Sequence, residues 1–188
     1  MATIEFHPVD KTRWKDLEKL FGARGACGGC WCMSWRLHTK DFNLNKGEGN
    51  KKSLKKIVSN DERPGVIAYV DEVPAGWCAA APREVYIKLE KSKVLSPVDD
   101  EKVWSVSCIF IARQFRRQGL STKLLKSVIK LCKERGARIL EAYPVEPYSD
   151  NIPAAFAWTG IPSSFERAGF KEVARRSRTR PIMRYYIK

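Results

Sequence analysis

Residues 116–121, Arg116-Arg117-Gln118-Gly119-Leu120-Ser121, put two guanidinium groups and a glycine where an apolar run gives way to helical spacing. Backbone N–H groups at the mouth of a helix lack intrahelical partners. With the positive end of the helix dipole they form a site for phosphate oxygens. The chemistry implied is the holding of an anionic, phosphorylated ligand. A second group is Cys27, Cys30 and Cys32, with His38 close by. Such a set could ligate zinc, which takes four Cys or His ligands, although a second CxxC is absent. Glu141 and Tyr143 form a third pair, alternating onto one face of a strand.

The phosphate turn needs a strand before it and a helix after it. Val103 to Ile111 is apolar on both faces, which suits a central strand buried on each side. From Leu120 the positions Leu124, Leu125, Val128, Leu131 and Cys132 repeat at helical spacing, with Lys123, Lys126, Lys130 and Lys133 on the other side. Gly136 closes that helix and Arg138 to Tyr143 reads as a strand. Strand, crossover helix and strand imply a parallel pair with a right-handed connection.

Around this unit, Ile4 to Pro8 reads as a strand, while Trp14, Leu17, Leu20 and Phe21 form one helix face that stops before Gly22. Lys51 to Ser59 is a short helix; Val66 to Val70 and Val73 to Ala81 make an antiparallel hairpin with a weak turn signal. Ser34 to Gly49 and Lys88 to Asp100 are polar with no clear period. Four prolines between Pro144 and Pro162 predict a loop, with a helical piece near Ala154 to Trp158. Ser163 to Ala168 is a short helix, and Phe170 to Ala174 and Ile182 to Ile187 are strands, the last either open to another chain at a sheet edge or covered internally. The order is that of a single mixed α/β domain over residues 1–188.

The formal charge of +14 favours polyanionic partners, a phosphorylated cofactor among them, or a solvated basic surface. No stretch reaches the roughly 18–20 apolar residues of a membrane span. Met1 to Asp10 carries Glu5, His7 and Asp10, unlike a secretory signal, so a cytoplasmic protein is expected. Cys78, Cys108 and Cys132 sit singly in apolar runs as small hydrophobes, and no disulfide framework is indicated.

The 116–121 turn resembles the signature of the GNAT superfamily of N-acyltransferases: Arg or Gln, two residues, Gly, one residue, then Gly or Ala. Arg116 and Gly119 fit, and Ser121 departs while staying small. Phe165-Glu166-Arg167-Ala168-Gly169-Phe170 resembles that superfamily's closing helix-to-strand motif. The Gly-Cys-Trp-Cys stretch at 29–32, residues 76–83 and the Arg-Arg-Ser-Arg run at 175–178 resemble a subgroup of predicted acetyltransferases. The resemblance implies a mixed sheet of about six or seven strands with splayed parallel central strands, flanked by about four helices. It implies acetyl-CoA as cofactor, with the N–H groups from Arg117 to Ser121 on the diphosphate and the edge of Ile109, Phe110 and Ile111 pairing with the pantetheine amides like an added strand. Arg116 and Arg117 could also meet phosphates directly.

Acyl transfer to an amine then follows most simply by direct attack on the thioester. In many members of the superfamily a tyrosine of the final helix protonates the thiolate; here Phe165 takes that place and has no proton to give. Glu141 as a relay from the amine and Tyr143 as the acid are the expected substitutes. The resemblance places acceptor recognition in the segment after the first helix, where Trp31 and Trp35 would build an aromatic wall and Arg36 a fork for a carboxylate or phosphate. Two rival readings are a nucleic-acid-associated module, from the charge and from Arg175, Arg176, Arg178, Arg180 and Arg184, and a zinc or thiol protein built on Cys27, Cys30 and Cys32.

Overall fold

A computed structural model describes residues 2–147 and 157–188 of the chain. The elements are β1 (Ile4–Pro8), α1 (Trp14–Phe21), α2 (Thr39–Leu44), α3 (Glu48–Ser59), β2 (Gly65–Val70), β3 (Val73–Pro82), α4 (Ile87–Glu90), β4 (Trp104–Ile111), α5 (Leu120–Glu134), β5 (Ile139–Ala142), α6 (Pro162–Arg167), β6 (Lys171–Arg175) and β7 (Pro181–Tyr186). The strands form one mixed sheet in the order β1-β2-β3-β4-β5-β7-β6. Only β4 and β5 run parallel.

Each face of the sheet buries the stripe that the sequence periodicity marks. Leu120, Leu124, Leu125, Val128 and Leu131 of α5, with Phe165 of α6, cover Val66, Cys78, Val106 and Ile109. At about 1.5–3 kcal/mol for each fully buried side chain, that stripe outweighs what a helix of α5's length could supply alone. Leu17, Leu20 and Phe21 of α1 and Leu54 and Val58 of α3 cover Ile67, Trp77, Ala79 and Cys108 on the opposite face. A third cluster joins Tyr86, Leu89 and Leu95 to Ala81, Tyr143 and Ile182.

Local stops agree with the sequence. The α5 terminus carries paired bonds, Ala137 N–H to Cys132 C=O (2.9 Å) and Gly136 N–H to Lys133 C=O (3.0 Å), around a left-handed Gly136. The β2–β3 turn takes Asp71 and Glu72 to φ 46° and 63°, the mirror-image turn that suits a twisted hairpin. Asp tolerates that backbone better than Glu, and a contact from just before β1 holds the turn: the Asp71 carboxylate accepts from Thr3 N–H at 2.8 Å.

The feature that shapes the site is the short β4–β5 pairing. It holds only Trp104–Val106 against Leu140–Ala142. A register shift between Ala79 and Ala80 leaves Ser107 as an extra residue in β4, a bulge that bends the strand. From there β4 runs on to Ile111 without β5. Two helices, α2 and α4, arise in segments where no period is visible, because six- and four-residue pieces are too short to show one. The terminal strand β7 is covered internally, between β5 and β6. The helical piece expected near Ala154 to Trp158 lies largely outside the described residues, and Trp158 itself sits in a turn.

Candidate functional site

After β4 a single helical turn, Arg113–Phe115, leads to an extended Arg116. Arg117 (φ 61°) and Gly119 (φ 72°) then take left-handed backbone, and α5 begins at Leu120 with no side-chain cap. Left-handed backbone costs a non-glycine residue about 1–2 kcal/mol. Two bonds hold the corner: Arg116 Nε donates to Ile111 C=O (2.8 Å) and Gln118 Nε2 to Gln114 C=O (3.0 Å). A Cβ added at Gly119 would meet no atom within 4 Å, so the space beside the helix mouth is open. Uncapped N–H groups facing open space beside two arginines fit a diphosphate.

That corner is one end of a groove of about 640 Å³. Ile109, Phe110, Ile111 and every residue of the 116–121 turn except Gln118 line it. Gln118, expected with the others, instead braces the turn. Lining residues that the sequence reading did not single out include Phe115, Trp158, Gly160 and Ser164. Ser164 hydrogen-bonds with Ser121 across the groove floor (3.2 Å between hydroxyls), which seats α6 against α5.

Backbone groups along β4 alternate in direction, and Ala112 N–H donates to Ala75 C=O of β3. The N–H and C=O of Ile109 and Ile111 therefore point to the open side. Two of those four groups are already engaged. Ile109 N–H donates to Trp158 C=O (2.7 Å), and Ile111 C=O accepts from Arg116. Among the described residues Ile109 C=O and Ile111 N–H have no partner and remain for an extended amide ligand, a narrower edge than the whole of 109–111. Trp158 and Gly160 bridge the splay, since Val145 N–H donates to Gly160 C=O (3.0 Å) on the β5 side.

Glu141 and Tyr143 lie away from the groove. They do share a face, but both are fully buried and neither lines the groove. Glu141 Oε1 accepts from Arg83 Nη1 (3.0 Å) and its Oε2 from Arg184 Nε (2.8 Å). Tyr143 Oη meets Arg83 (2.7 Å), Ser105 (2.8 Å) and Glu141 (2.7 Å). Burial first, and the Glu141 charge second, push the phenol well above its ordinary pKa. Arg83 also donates to Glu90 and to the carbonyls of Leu89 and Leu95, and Arg184 to Asp99. These residues clasp β4 and β5 where they still pair, at Ser105 and Glu141. The alternation was legible; what covers that face comes from α4 and residues 91–99, which the sequence left as a polar connection.

The acceptor segment also distributes differently. Trp31 is a core residue, stacked on Trp14 and tilted against Phe21. Trp35 is half-buried; its indole N–H donates to Ser107 C=O at the bulge (3.1 Å), and its ring lies 5.5 Å from that of Trp158. It therefore backs the groove through Trp158. Arg36 lies over the Tyr86 ring at 5.0 Å. The groove wall from this segment is formed by Ala26 and Cys27. Cys27 is exposed, Cys30 intermediate and Cys32 buried, and among the described residues no three His, Cys, Asp or Glu side chains converge to hold a metal.

The model of the acetyltransferase (GNAT) family matches residues 31–158, more than half of the chain. No curated protein sequence matches. Similar solved structures include the PaiA N-acetyltransferase of Thermoplasma acidophilum in complex with coenzyme A (15% identity, covering 98% of this chain and 99% of that one, TM-score 0.53). Another is a GNAT-family acetyltransferase of Listeria monocytogenes (11% identity, 98% and 95%, TM-score 0.59). A third is yncA of Salmonella typhimurium with its cofactor acetyl-CoA (14% identity, 100% and 94%, TM-score 0.55).

Proposed function

The chain belongs to the acetyltransferase (GNAT) family, and we propose that it moves an acetyl group from acetyl-CoA to an amine of a small molecule or protein by direct attack in a ternary complex. Within the family we place it among members carrying the Gly-Cys-Trp-Cys stretch at 29–32. The observation that carries the reading is the open, uncapped mouth of α5 at one end of a groove that continues along the unpaired part of β4.

Acetyl-CoA supplies the activated acyl carbon as a thioester. N–H groups from Arg117 to Ser121 would hold the diphosphate, and Arg116 and Arg117 would neutralise it. Ile109 C=O and Ile111 N–H would align the pantetheine arm along β4. Glu141 and Tyr143 act as positioning residues, because Arg83 ties them to the strand pair from which the groove opens. Phe165, buried against Phe170 and Gly160, supports α6 and donates nothing. A thiolate leaves readily near neutral pH, so the step is limited by a neutral amine rather than by a side-chain acid.

Of the five arginines behind the nucleic-acid reading, four make contacts within the protein, while Arg178 is exposed. Arg175 is paired with Glu146 and Glu172, Arg184 with Asp99 and Glu141, Arg176 binds two carbonyls, and Arg180 donates to Thr159. These arginines tie the sheet end together.

Coenzyme A at about a hundredfold its Kd should stabilise the chain by about 2.7 kcal/mol, a melting-temperature rise of about 5–10 °C. A panel of amines, polyamines and peptide N termini, with detection of released thiol, then identifies the acceptor. No rise at millimolar coenzyme A would overturn the reading.

A further inference from the structure

Cys32, unlike Cys27 of the same cluster, does not line the groove and is in contact with a fourth cysteine on β4. Cys32 Sγ lies 3.1 Å from Cys108 Sγ, across 76 residues of sequence. Both are buried at 7 % exposure, and among the described residues no other two of the six sulfurs meet this closely. Their orientation is fixed from both sides. Trp77 Nε1 donates to Cys32 Sγ (3.0 Å), and Cys32 is held at φ 55° directly after Trp31 at φ 45° in its stacked site. Cys108 sits on β4 beside the bulge, immediately before Ile109.

We propose that Cys32 and Cys108 form a reversible disulfide when the protein meets a hydroperoxide. Oxygen transfer from the peroxide makes one thiol a sulfenic acid and releases an alcohol or water. The second sulfur then attacks the first, forming the S–S bond and displacing water. Two thiols and one peroxide thus give one disulfide, one water and one alcohol (a second water when the peroxide is H₂O₂). The sulfurs need to approach by only about 1 Å to reach bonding distance. The contact with Cys32 and burial push the Cys108 thiol well above its ordinary pKa, which slows its reaction with an oxidant.

The bond matters because of what it joins. Cys32 ends the loop whose Ala26 and Cys27 line the groove, and Cys108 precedes the Ile109 and Phe110 that line the facing side. Oxidation staples one wall of the groove to the other at the point where β4 parts from β5.

The full chain is treated with hydrogen peroxide while folded, denatured, alkylated and mapped by peptide mass. Two of six thiols should disappear, with a Cys32–Cys108 crosslinked peptide that dithiothreitol releases. Cys30→Ser should keep that crosslink; Cys32→Ser should lose it. Six alkylatable thiols, or a crosslink running through Cys27 or Cys30 instead, overturn the proposal. The mapping on the unmodified chain decides it even where a variant folds poorly.

Discussion

The mouth of α5 and the Arg83–Glu141–Arg184 cluster are both built from arginines beside strand ends, yet they are opposite kinds of site. At the α5 mouth, backbone donors have no cap, Gly119 faces open space, and Arg117 accepts left-handed backbone. In the cluster both Glu141 oxygens are taken, Tyr143 Oη has three partners, and Arg83 has five. Buried charge is tolerable only with complete partners. A ligand site keeps donors free, so the less satisfied of two polar regions is the one to suspect.

That contrast can be broken most forcefully at Glu141. Glu141→Ala leaves Arg83 and Arg184 buried beside an empty position and should cost about 3–5 kcal/mol in urea unfolding; a loss under about 1 kcal/mol would remove the structural role. At the other region, Gly119→Val should weaken coenzyme A at least tenfold, about 1.4 kcal/mol, because its side chain enters the space left for phosphate. Titration calorimetry reads the affinity, and unchanged binding would mean the diphosphate lies elsewhere. Tyr143→Phe, by this reading, costs about 1 kcal/mol of stability with turnover per folded molecule retained. A hundredfold fall in turnover with intact coenzyme A binding would restore the tyrosine as the acid.

The smallest expected effect is on pH. Hydrogen bonds from Arg184 to Asp99 and from Arg175 to Glu172 hold these carboxyls below their ordinary values. A depressed folded pKa gives stability that is complete above the unfolded value and is lost as pH falls through the folded one. The melting temperature should therefore stay level from pH 8 to about 5 and decline below about 4. Both carboxylates are largely exposed, so the slope is shallow, and Arg175→Gln should flatten it further. A decline that begins well above pH 5 would remove the two carboxylates as its cause.

Much of this molecule could be read from residue order. Leu124, Leu125, Val128 and Leu131 announce α5 because helical spacing is a local property, and Gly119 and Gly136 mark its ends because only glycine takes those angles cheaply. The corner at 116–121 was legible as a turn for the same reason: it is made of consecutive residues. Trp31 was misplaced, since an aromatic beside glycines looks alike whether it lines a groove or fills a core. Trp158 was passed over because its role depends on Ile109, which lies 49 positions away. No local signal marks that bond.

The chain's own order therefore determined the strand–turn–helix around residues 116–121 and the sequence of elements around it, because short-range geometry follows from spacing and backbone preference. Only tertiary structure decided which polar residues stay open and which are sealed. The covering of Glu141 and Tyr143 by Arg83 and Arg184, and the meeting of Cys32 with Cys108, come from packing elements far apart in sequence, and solvent access is set there and nowhere earlier.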